Sequence, residues 1–367
     1  MSIKQNKYSK HFFFMRLALF QAKKNLGNTL TNPAVGCVIV NNNGLISAGC
    51  TGINGRPHAE QNAINFSKKN IKNSTMYVTL EPCSHYGKTP PCVDTIIKNK
   101  IKKVHFAIKD PDIRSYDKSS KRLRKNNIVV KNNVYYPIIK EFYKSYYKFK
   151  KSNTPFVVAK MAISKDYYTN NKKRKLITNA FSRSRANIIR SNFDCLLTSS
   201  KTIIDDNPRL TCRIPGLERR TPTLIVLDKN LKVPVSSRIF KLSYKHNIII
   251  FFNKMNIKKF KILKKFKIKL IKMSLNKDGR LDLKKIVEKI KFLGFSRILL
   301  ESGLNLTTNF LNDNLVDEFK LFISNKKIRR DGNKSLKKVM KLFLNRKKFV
   351  YEKVNLFGDL LLTYRIK

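Results

Sequence analysis

The sequence predicts an α/β protein made of two domains. Short apolar runs rich in Val, Ile and Phe, typical of buried strands, alternate with segments whose apolar residues recur at helical spacing. A length of 367 residues gives room for two hydrophobic cores. A polar, turn-forming stretch, made of the lysine cluster at residues 148–151 and of residues 152–155, precedes a new apolar strand. We therefore expect domains over residues 1–150 and 151–367.

In the first domain the pattern predicts a helix, a β-hairpin, and then strands and helices in alternation. Apolar residues at helical spacing predict the first helix over residues 11–25, with Gly27 as its stop. The run Asn-Asn-Asn-Gly at residues 41–44 separates two apolar segments and predicts the hairpin turn. Pro57 and Pro91 are each placed to open a helix, because a proline in the first turn loses no hydrogen bond. Predicted strands cover residues 35–40, 45–49, 76–80, 104–108 and 128–130. This alternation favours a three-layer α/β domain.

The second domain has the same alternation without the first domain's motifs. Predicted strands cover residues 156–162, 195–198, 224–227, 248–252, 298–300 and 319–323. Predicted helices cover residues 182–190, 283–293 and 304–311. In the segment 254–272 Lys alternates with Ile, Leu and Phe. For this segment we favour one buried apolar stripe with solvated lysines over a nucleic-acid or membrane-binding face.

The composition is strongly basic, with a formal net charge of +55. Such a balance is typical of proteins with a nucleic-acid or membrane partner. However, the lysines are spread along the whole chain. An A+T-rich coding sequence also produces this composition, in which Lys, Asn, Ile, Phe and Tyr are abundant and Trp is absent. We therefore favour incidental basicity over a nucleic-acid partner. No apolar run is long enough to span a bilayer, and six cysteines without a disulfide framework favour a cytoplasmic protein.

The chemistry concentrates between Pro57 and Cys92. His58, Cys83 and Cys92 offer one imidazole and two thiolates, which suit Zn²⁺ and leave a fourth tetrahedral position for water. Glu60 stands two residues after His58, where its carboxylate can reach that water without binding the metal. This is the His-x-Glu and Pro-Cys arrangement of zinc-dependent deaminases, in which the glutamate moves protons.

The string from Thr79 to Cys92, with Asn-Pro-Ala-Val-Gly-Cys at residues 32–37, resembles the pyrimidine deaminase of riboflavin biosynthesis. That enzyme is one half of the bifunctional deaminase/reductase family called RibD. The eight residues between the two cysteines differ from the Cys-x-x-Cys spacing of nucleic-acid-editing deaminases. The resemblance implies a cytidine-deaminase-like fold with Zn²⁺, Glu60 as the catalytic proton shuttle, and Asn32 and His85 in the substrate pocket.

Residues 156–367 resemble the reductase half of the same family, which has a dihydrofolate-reductase-like α/β fold and uses NADPH. The matching landmarks are residues 160–166, 177–178, 198–202, 205–213 and 301–303. The resemblance implies that five residues contact the cofactor: Ala162, Leu176, Thr202, Asp206 and Gly303. It implies that five others contact the substrate: Arg174, Arg190, Leu210, Arg213 and Glu301. Two guanidiniums suit a ribose phosphate through bidentate hydrogen bonds, and a glycine before a helix lets backbone N–H groups approach the cofactor's phosphate.

The second half also departs from the family. Residues 170–176 form a shortened loop that lacks the Trp and Ser which the family carries there, and Tyr167 stands where the family usually has Gly. No G-x-G-x-x-G fingerprint follows a predicted strand.

The resemblance implies deamination of 2,5-diamino-6-(5-phosphoribosylamino)pyrimidin-4-one, followed by NADPH-dependent reduction of the ribosyl group. The partner would then be a small phosphoribosyl pyrimidine. Two alternatives stay open: a tRNA or nucleotide deaminase with a degenerate second domain, and a basic RNA-binding protein with a structural zinc. The high charge and the His-x-Glu core favour the first, and the second requires a fourth protein ligand. The sequence leaves the oligomeric state open, and a homo-oligomer is one of the open states.

Overall fold

The computed structural model describes residues 3–171, 176–244 and 246–367. The chain forms two compact units that meet between Ser152 and Asn153, and each has its own sheet and core. No helix within the described ranges is both long and apolar enough to cross a membrane.

Unit 1 contains a five-stranded sheet in the order β2-β1-β3-β4-β5. Its strands are β1 Gly36–Asn41, β2 Gly44–Cys50, β3 Thr75–Val78, β4 Lys103–Phe106 and β5 Val129–Lys131. Its helices are α1 Ile3–Lys24, α2 Ala59–Asn65, α3 Cys92–Lys98, α4 Lys118–Lys125 and α5 Tyr136–Lys151. β1 pairs antiparallel with β2 and β3, whereas β3, β4 and β5 run parallel.

Two glycines let helices approach both faces of this sheet. A Cβ added to Gly36 would lie 1.8 Å from the carbonyl oxygen of Ala18 on α1. A Cβ added to Gly49 would lie 2.4 Å from the backbone nitrogen of Ala63 on α2. Gly49 pairs with Cys37, the residue after Gly36, so the two glycines face opposite sides of the pleated sheet. The helices therefore form two outer layers, and the three-layer prediction is confirmed.

Unit 2 contains a nine-stranded sheet in the order β11-β10-β9-β8-β12-β6-β13-β16-β15. Its strands are β6 Phe156–Ile163, β8 Cys195–Ser199, β9 Thr223–Leu227, β10 Ile248–Phe252, β11 Lys269–Lys272, β12 Arg297–Leu300, β13 Glu318–Ile323, β15 Phe349–Tyr351 and β16 Leu360–Arg365. β7 Tyr168–Asn171 and β14 Gly332–Ser335 form a separate two-stranded sheet. The helices are α6 Ala180–Arg190, α7 Ser200–Asp206, α8 Arg238–Lys241, α9 Ile257–Lys265, α10 Leu283–Phe292, α11 Leu304–Asn312 and α12 Lys337–Val339.

The central strands of unit 2 are buried on both faces. On β6, Val157 and Ala159 enter one apolar cluster, whereas Phe156 and Val158 enter another. All strand pairs from β11 to β13 are parallel, and only β16 and β15 add antiparallel pairs. A parallel sheet covered by helices needs apolar side chains on both faces. This explains the continuous apolar runs from which these strands were predicted.

Several boundaries differ from the sequence predictions. The prediction that Pro57 lies in a first helical turn is wrong: α2 begins at Ala59, His58 is its extended N-cap, and Pro57 precedes both. Pro91 is the N-cap of α3 rather than its first residue. The lysine cluster at residues 148–151, expected in a turn, belongs to α5. The segment 254–272 forms a helix and then a strand instead of one stripe, and its apolar residues Leu263 and Ile268 are buried as expected.

A stack of three rings lies on the sheet of unit 1. The ring centroid of His105 on β4 is 4.9 Å from that of Tyr77 and 4.6 Å from that of His11. His105 is 2% exposed, and its Nδ1 has no hydrogen-bond partner among the described residues. Burial, followed by the charge of His11, lowers the pKa of His105 to about 4. The folded chain therefore holds this ring neutral.

We predict that His105 contributes an acid-sensitive part of the stability of unit 1. An unfolded histidine has a pKa of about 6.5, so the neutral ring stabilises the fold above that pH, and this contribution is lost as the pH falls further. His105→Phe keeps a ring in the stack and removes the titration. Between pH 7.5 and pH 5, the variant should lose less unfolding free energy than the wild type, by on the order of 2 kcal/mol. Urea unfolding at both pH values measures this, and parallel losses would contradict it.

Candidate active sites

Three predicted metal ligands meet in unit 1. His58 is the N-cap of α2, Cys83 lies in the loop after β3, and Cys92 is the first residue of α3. His58 Nδ1 is 3.3 Å from Cys92 Sγ and 3.5 Å from Cys83 Sγ, and all three ligand atoms lie within 4.8 Å of one another. In a tetrahedral zinc site the nitrogen and sulfur ligands are about 3.6 Å apart. The spacing and the chemistry of these donors therefore fit Zn²⁺, and the group includes no fourth ligand among the described residues.

The surroundings of Cys83 favour the thiolate, the form that binds metals. The backbone N–H of Cys92 donates to Cys83 Sγ over 3.2 Å. The hydrogen bond from the Cys92 thiol, followed by that from His58, lowers the pKa of Cys83 to about 4. The same hydrogen bond and burial raise the pKa of Cys92. The pair therefore favours the thiolate on Cys83 over that on Cys92.

Glu60 lies in the first turn of α2, beside these ligands, and is 4% exposed. Burial, followed by the charge of Cys83, raises the pKa of Glu60 to about 7. A carboxyl group with a pKa near the working pH can both accept and release a proton. The site therefore places a proton carrier next to the three ligands.

Two further side chains of unit 1 were predicted to line the pocket. Asn32 Nδ2 donates to the carbonyl oxygen of Gly55 over 2.9 Å. His85 Nδ1 lies 2.9 Å from the hydroxyl oxygen of Ser115. The sequence analysis missed Ser115, because no local motif marks a residue 30 positions away from its partner. It also missed Arg56, whose guanidinium donates to the Thr89 hydroxyl. The position of Arg56 directly before Pro57 could have indicated that it lies near this part of the chain.

In unit 2, Glu301 follows β12 and is the centre of a buried ionic group. Arg190 Nε and Nη2 donate to its two carboxylate oxygens over 2.6 and 2.9 Å, and Lys160 Nζ lies 3.1 Å from Oε2. Burial alone would raise the pKa of Glu301, but the charges of Arg190 and Lys160 hold it well below its usual range. In the sequence, Lys160 is marked only by its place in residues 160–166, which match the reductase half of the family.

These contacts engage one of the two guanidiniums that were expected to bind the ribose phosphate, that of Arg190. The donor fork of Arg190 is occupied by Glu301, and its Nη1 donates to the carbonyl oxygen of Thr211 over 3.1 Å. Arg213 is the exposed guanidinium of the pair. Leu210 is buried, with a left-handed φ of 53°. Substrate contact by these residues stays a prediction, and Arg174 lies outside the described residues.

Two predicted cofactor-binding residues are in contact. The backbone N–H of Gly303 donates to Thr202 Oγ1 over 3.3 Å. Gly303 is the N-cap of the nine-residue helix α11, and no atom lies within 4 Å of a Cβ added there, so the backbone is open to a ligand. Of the other predicted residues, Asp206 and Leu176 are exposed and Ala162 is half-buried on β6.

A cavity of about 480 Å³ lies beside these elements in unit 2. Its lining includes Ser199 of β8, Leu306 of α11, two cations, Lys229 and Arg280, and two acids, Asp278 and Asp313. These charges balance, so the feature that suits a phosphate-bearing ligand is the exposed helix N-terminus at Gly303. The residues present therefore fit NADPH.

We predict that Arg190→Ala destabilises unit 2 strongly, because it leaves a buried carboxylate with only Lys160 as a charged partner. The expected loss of unfolding free energy is about 3 kcal/mol. Arg185→Ala on the same helix is the matched control, since its ion pair with Glu352 is long, at 3.9 Å, and partly exposed; it should cost less than about 1 kcal/mol. Urea unfolding compares the two, and equal losses would contradict the prediction.

Family profiles match both halves of the chain. The cytidine and deoxycytidylate deaminase zinc-binding region matches residues 8–108, and the RibD C-terminal domain matches residues 155–328. The chain is 34% identical to the riboflavin biosynthesis protein RibD of Aquifex aeolicus over 315 residues, which are 85% of this chain and 86% of that protein. It is 29% identical to RibD of Chlamydia muridarum over 354 residues, 95% of each chain.

Solved structures agree over nearly the whole length. A deaminase/reductase from Thermotoga maritima superposes with a TM-score of 0.82 at 25% identity, covering 98% of this chain and 100% of that one. RibD of Acinetobacter baumannii shares the fold, with a TM-score of 0.83 at 24% identity, covering 98% of this chain and 99% of that one. With a deaminase-type zinc-binding region followed by a RibD C-terminal domain, this chain belongs to the RibD family of riboflavin biosynthesis proteins.

Proposed function

We propose that the chain is a bifunctional enzyme of riboflavin biosynthesis. Unit 1 deaminates 2,5-diamino-6-(5-phosphoribosylamino)pyrimidin-4-one, and unit 2 reduces the ribosyl group of the resulting uracil with NADPH. The observation that carries the proposal is the group of His58, Cys83 and Cys92 beside the buried Glu60, in a chain that belongs to the RibD family.

In the deaminase step, His58, Cys83 and Cys92 would hold the zinc. When bound, the ion would activate a water for attack on the amine-bearing carbon of the pyrimidine. Glu60 moves the protons: its carboxylate accepts one from the attacking water and delivers it to the ring nitrogen. It then takes the second proton from the hydroxyl group now on the carbon and gives it to the amine, which leaves as ammonia as the carbonyl forms. Its pKa of about 7 suits both directions of transfer. Asn32 and His85 are proposed to orient the pyrimidine.

In the reductase step, bound NADPH would supply the hydride that reduces C1′ of the ribosyl group to give a ribityl chain. The N–H groups at the start of α11, next to Gly303, are proposed to hold a cofactor phosphate. Glu301 keeps the ammonium of Lys160 in place just beyond β12, at the carboxyl end of the parallel strands where α/β sheets bind ligands. The exposed Arg213 is proposed to meet the substrate's phosphate.

The proposed partner is a small phosphoribosyl pyrimidine, and we propose a cytoplasmic location. The six cysteines are free thiols, as metal binding by Cys83 and Cys92 in a reducing compartment requires. The alternatives that the sequence left open lose support. Family membership extends over both units, which argues against a degenerate appendage. Within the described ranges, the ligand group also has no fourth member of the kind that a closed structural zinc site requires.

We predict that Glu60→Gln separates the two activities. Ammonia release from the diaminopyrimidine should fall by about a thousandfold, because Gln cannot carry the protons. NADPH oxidation with the deaminated uracil supplied directly should be unchanged. Glu141→Gln, at an exposed site on α5, is the control and should behave as wild type. Undiminished ammonia release by Glu60→Gln would refute the assigned role. Ammonia from adenosine-bearing tRNA but none from the diaminopyrimidine would establish the rival deaminase.

We also predict that Cys83→Ala lowers the zinc content of the purified chain from one ion to a small fraction. Cys37→Ala is the matched control: Cys37 is buried in β1, and burial raises the pKa of its thiol, so it stays neutral and binds no metal. Metal analysis by mass spectrometry distinguishes the variants. Full zinc occupancy in Cys83→Ala would remove this residue from the ligand set.

A further inference from the structure

We propose that Ser115 is a positioning residue of the deaminase site. Its hydroxyl fixes the imidazole of His85, and Glu81 anchors the loop that carries it against the metal-ligand loop. The β4–α4 loop is defined here as residues 107–117, between β4 and α4. This inference rests on the proposed function of unit 1.

The contact between the two loops is direct, and Ser115 is buried within it. His85 lies two residues after the metal ligand Cys83, and its Nδ1 is 2.9 Å from Ser115 Oγ. Ser115 is 0% exposed, so water does not compete for its hydroxyl. A second hydrogen bond runs from the Ser84 hydroxyl to the carbonyl oxygen of Arg114 over 3.4 Å. With one ring nitrogen engaged, the His85 ring has a defined orientation.

Glu81 ties both ends of the β4–α4 loop to the chain that leads into Cys83. Its Oε2 accepts the backbone N–H groups of Asp110 and Asp117 over 3.2 Å each, and its Oε1 accepts the hydroxyl of Ser119 over 2.5 Å. Its own N–H donates to the carbonyl oxygen of Ile108 over 2.9 Å. Glu81 is 3% exposed, and a buried carboxylate is costly unless donors surround it. These donors therefore hold the loop and the carboxylate together.

The middle of the loop is held by α5. The Tyr146 hydroxyl donates to Asp110 over 3.0 Å, and Lys150 Nζ donates to Asp112 over 2.9 Å. The Ser115 N–H donates to the carbonyl oxygen of Asp112 over 2.9 Å. The backbone that carries the Ser115 hydroxyl is therefore held in place by hydrogen bonds. Hydrogen-bond partners that orient the residues of a metal site are worth about 10-fold to 100-fold in activity.

The first test compares Ser115→Ala with Ser120→Ala. Ser120 is equally buried, at 2% exposure, and its hydroxyl has no hydrogen-bond partner in the described part of the chain. Ser115→Ala should lower kcat/KM for ammonia release about tenfold, with zinc content and Tm close to those of the control. Ser120→Ala should match the wild-type kcat/KM. A Ser115→Ala variant with wild-type kcat/KM would overturn the proposal.

A double-mutant cycle shows whether Ser115 acts through His85. In a His85→Ala background, adding Ser115→Ala should cause no further loss of kcat/KM, because the group that it orients is absent. Two losses that multiply would mean that Ser115 acts in another way and would overturn the proposal.

A spectroscopic signal tests the contact without turnover. The imidazole nitrogen resonances of His85 in the zinc-loaded chain should shift in Ser115→Ala and stay in place in Ser120→Ala. Unchanged resonances in both variants would refute the contact. If the wild-type chain releases no ammonia from the diaminopyrimidine, the proposed function fails, and these resonances then decide alone whether Ser115 fixes His85.

Discussion

A buried carboxylate must be compensated, and the way this chain compensates three of them decides what each one does. Glu81 is surrounded by two backbone N–H groups and a hydroxyl, so it acts as a structural anchor. Glu301 is paired with a guanidinium and an ammonium, which keep it ionised. Glu60 lies beside a thiolate, and its pKa rises to about 7. Only this last environment makes a carboxyl group that exchanges protons near neutrality.

The same constraint bears on the net charge. The chain has 23 acidic residues against 78 basic ones, and nine of the acidic residues are buried in the described ranges. Those nine hold loops, neutralise buried cations or serve a site, so few acidic groups remain on the surface to balance the lysines. The surface is therefore even more basic than the composition suggests.

Each site is assembled where short segments of backbone meet at the ends of strands. In unit 1 the loop after β3 and the starts of α2 and α3 bring the ligands together, and the β4–α4 loop supports them. In unit 2, Glu301 directly follows β12, Thr202 lies at the start of α7, and Gly303 directly precedes α11. Helices on both faces keep these sheets rigid, so the loops can carry polar groups in fixed positions.

The sequence by itself determined the α/β class, the β1–β2 hairpin and the three candidate metal ligands. These depend on local patterns: apolar runs, a turn of polar residues, and a His and two Cys in short recognisable strings. It did not reveal β16, which fills a place between β13 and β15, because which strands pair along a sheet is decided by long-range contacts.

Only the tertiary structure decided how the polar side chains are used. Arg190 and Glu301 are 111 residues apart in sequence, and their pairing takes up the guanidinium that was expected to meet a phosphate. Ser115 reaches His85 only because Glu81 and α5 hold its loop in place. The raised pKa of Glu60 likewise depends on burial beneath a folded sheet. Hydrogen bonding and desolvation are properties of the packed chain, so no local pattern in the sequence encodes them.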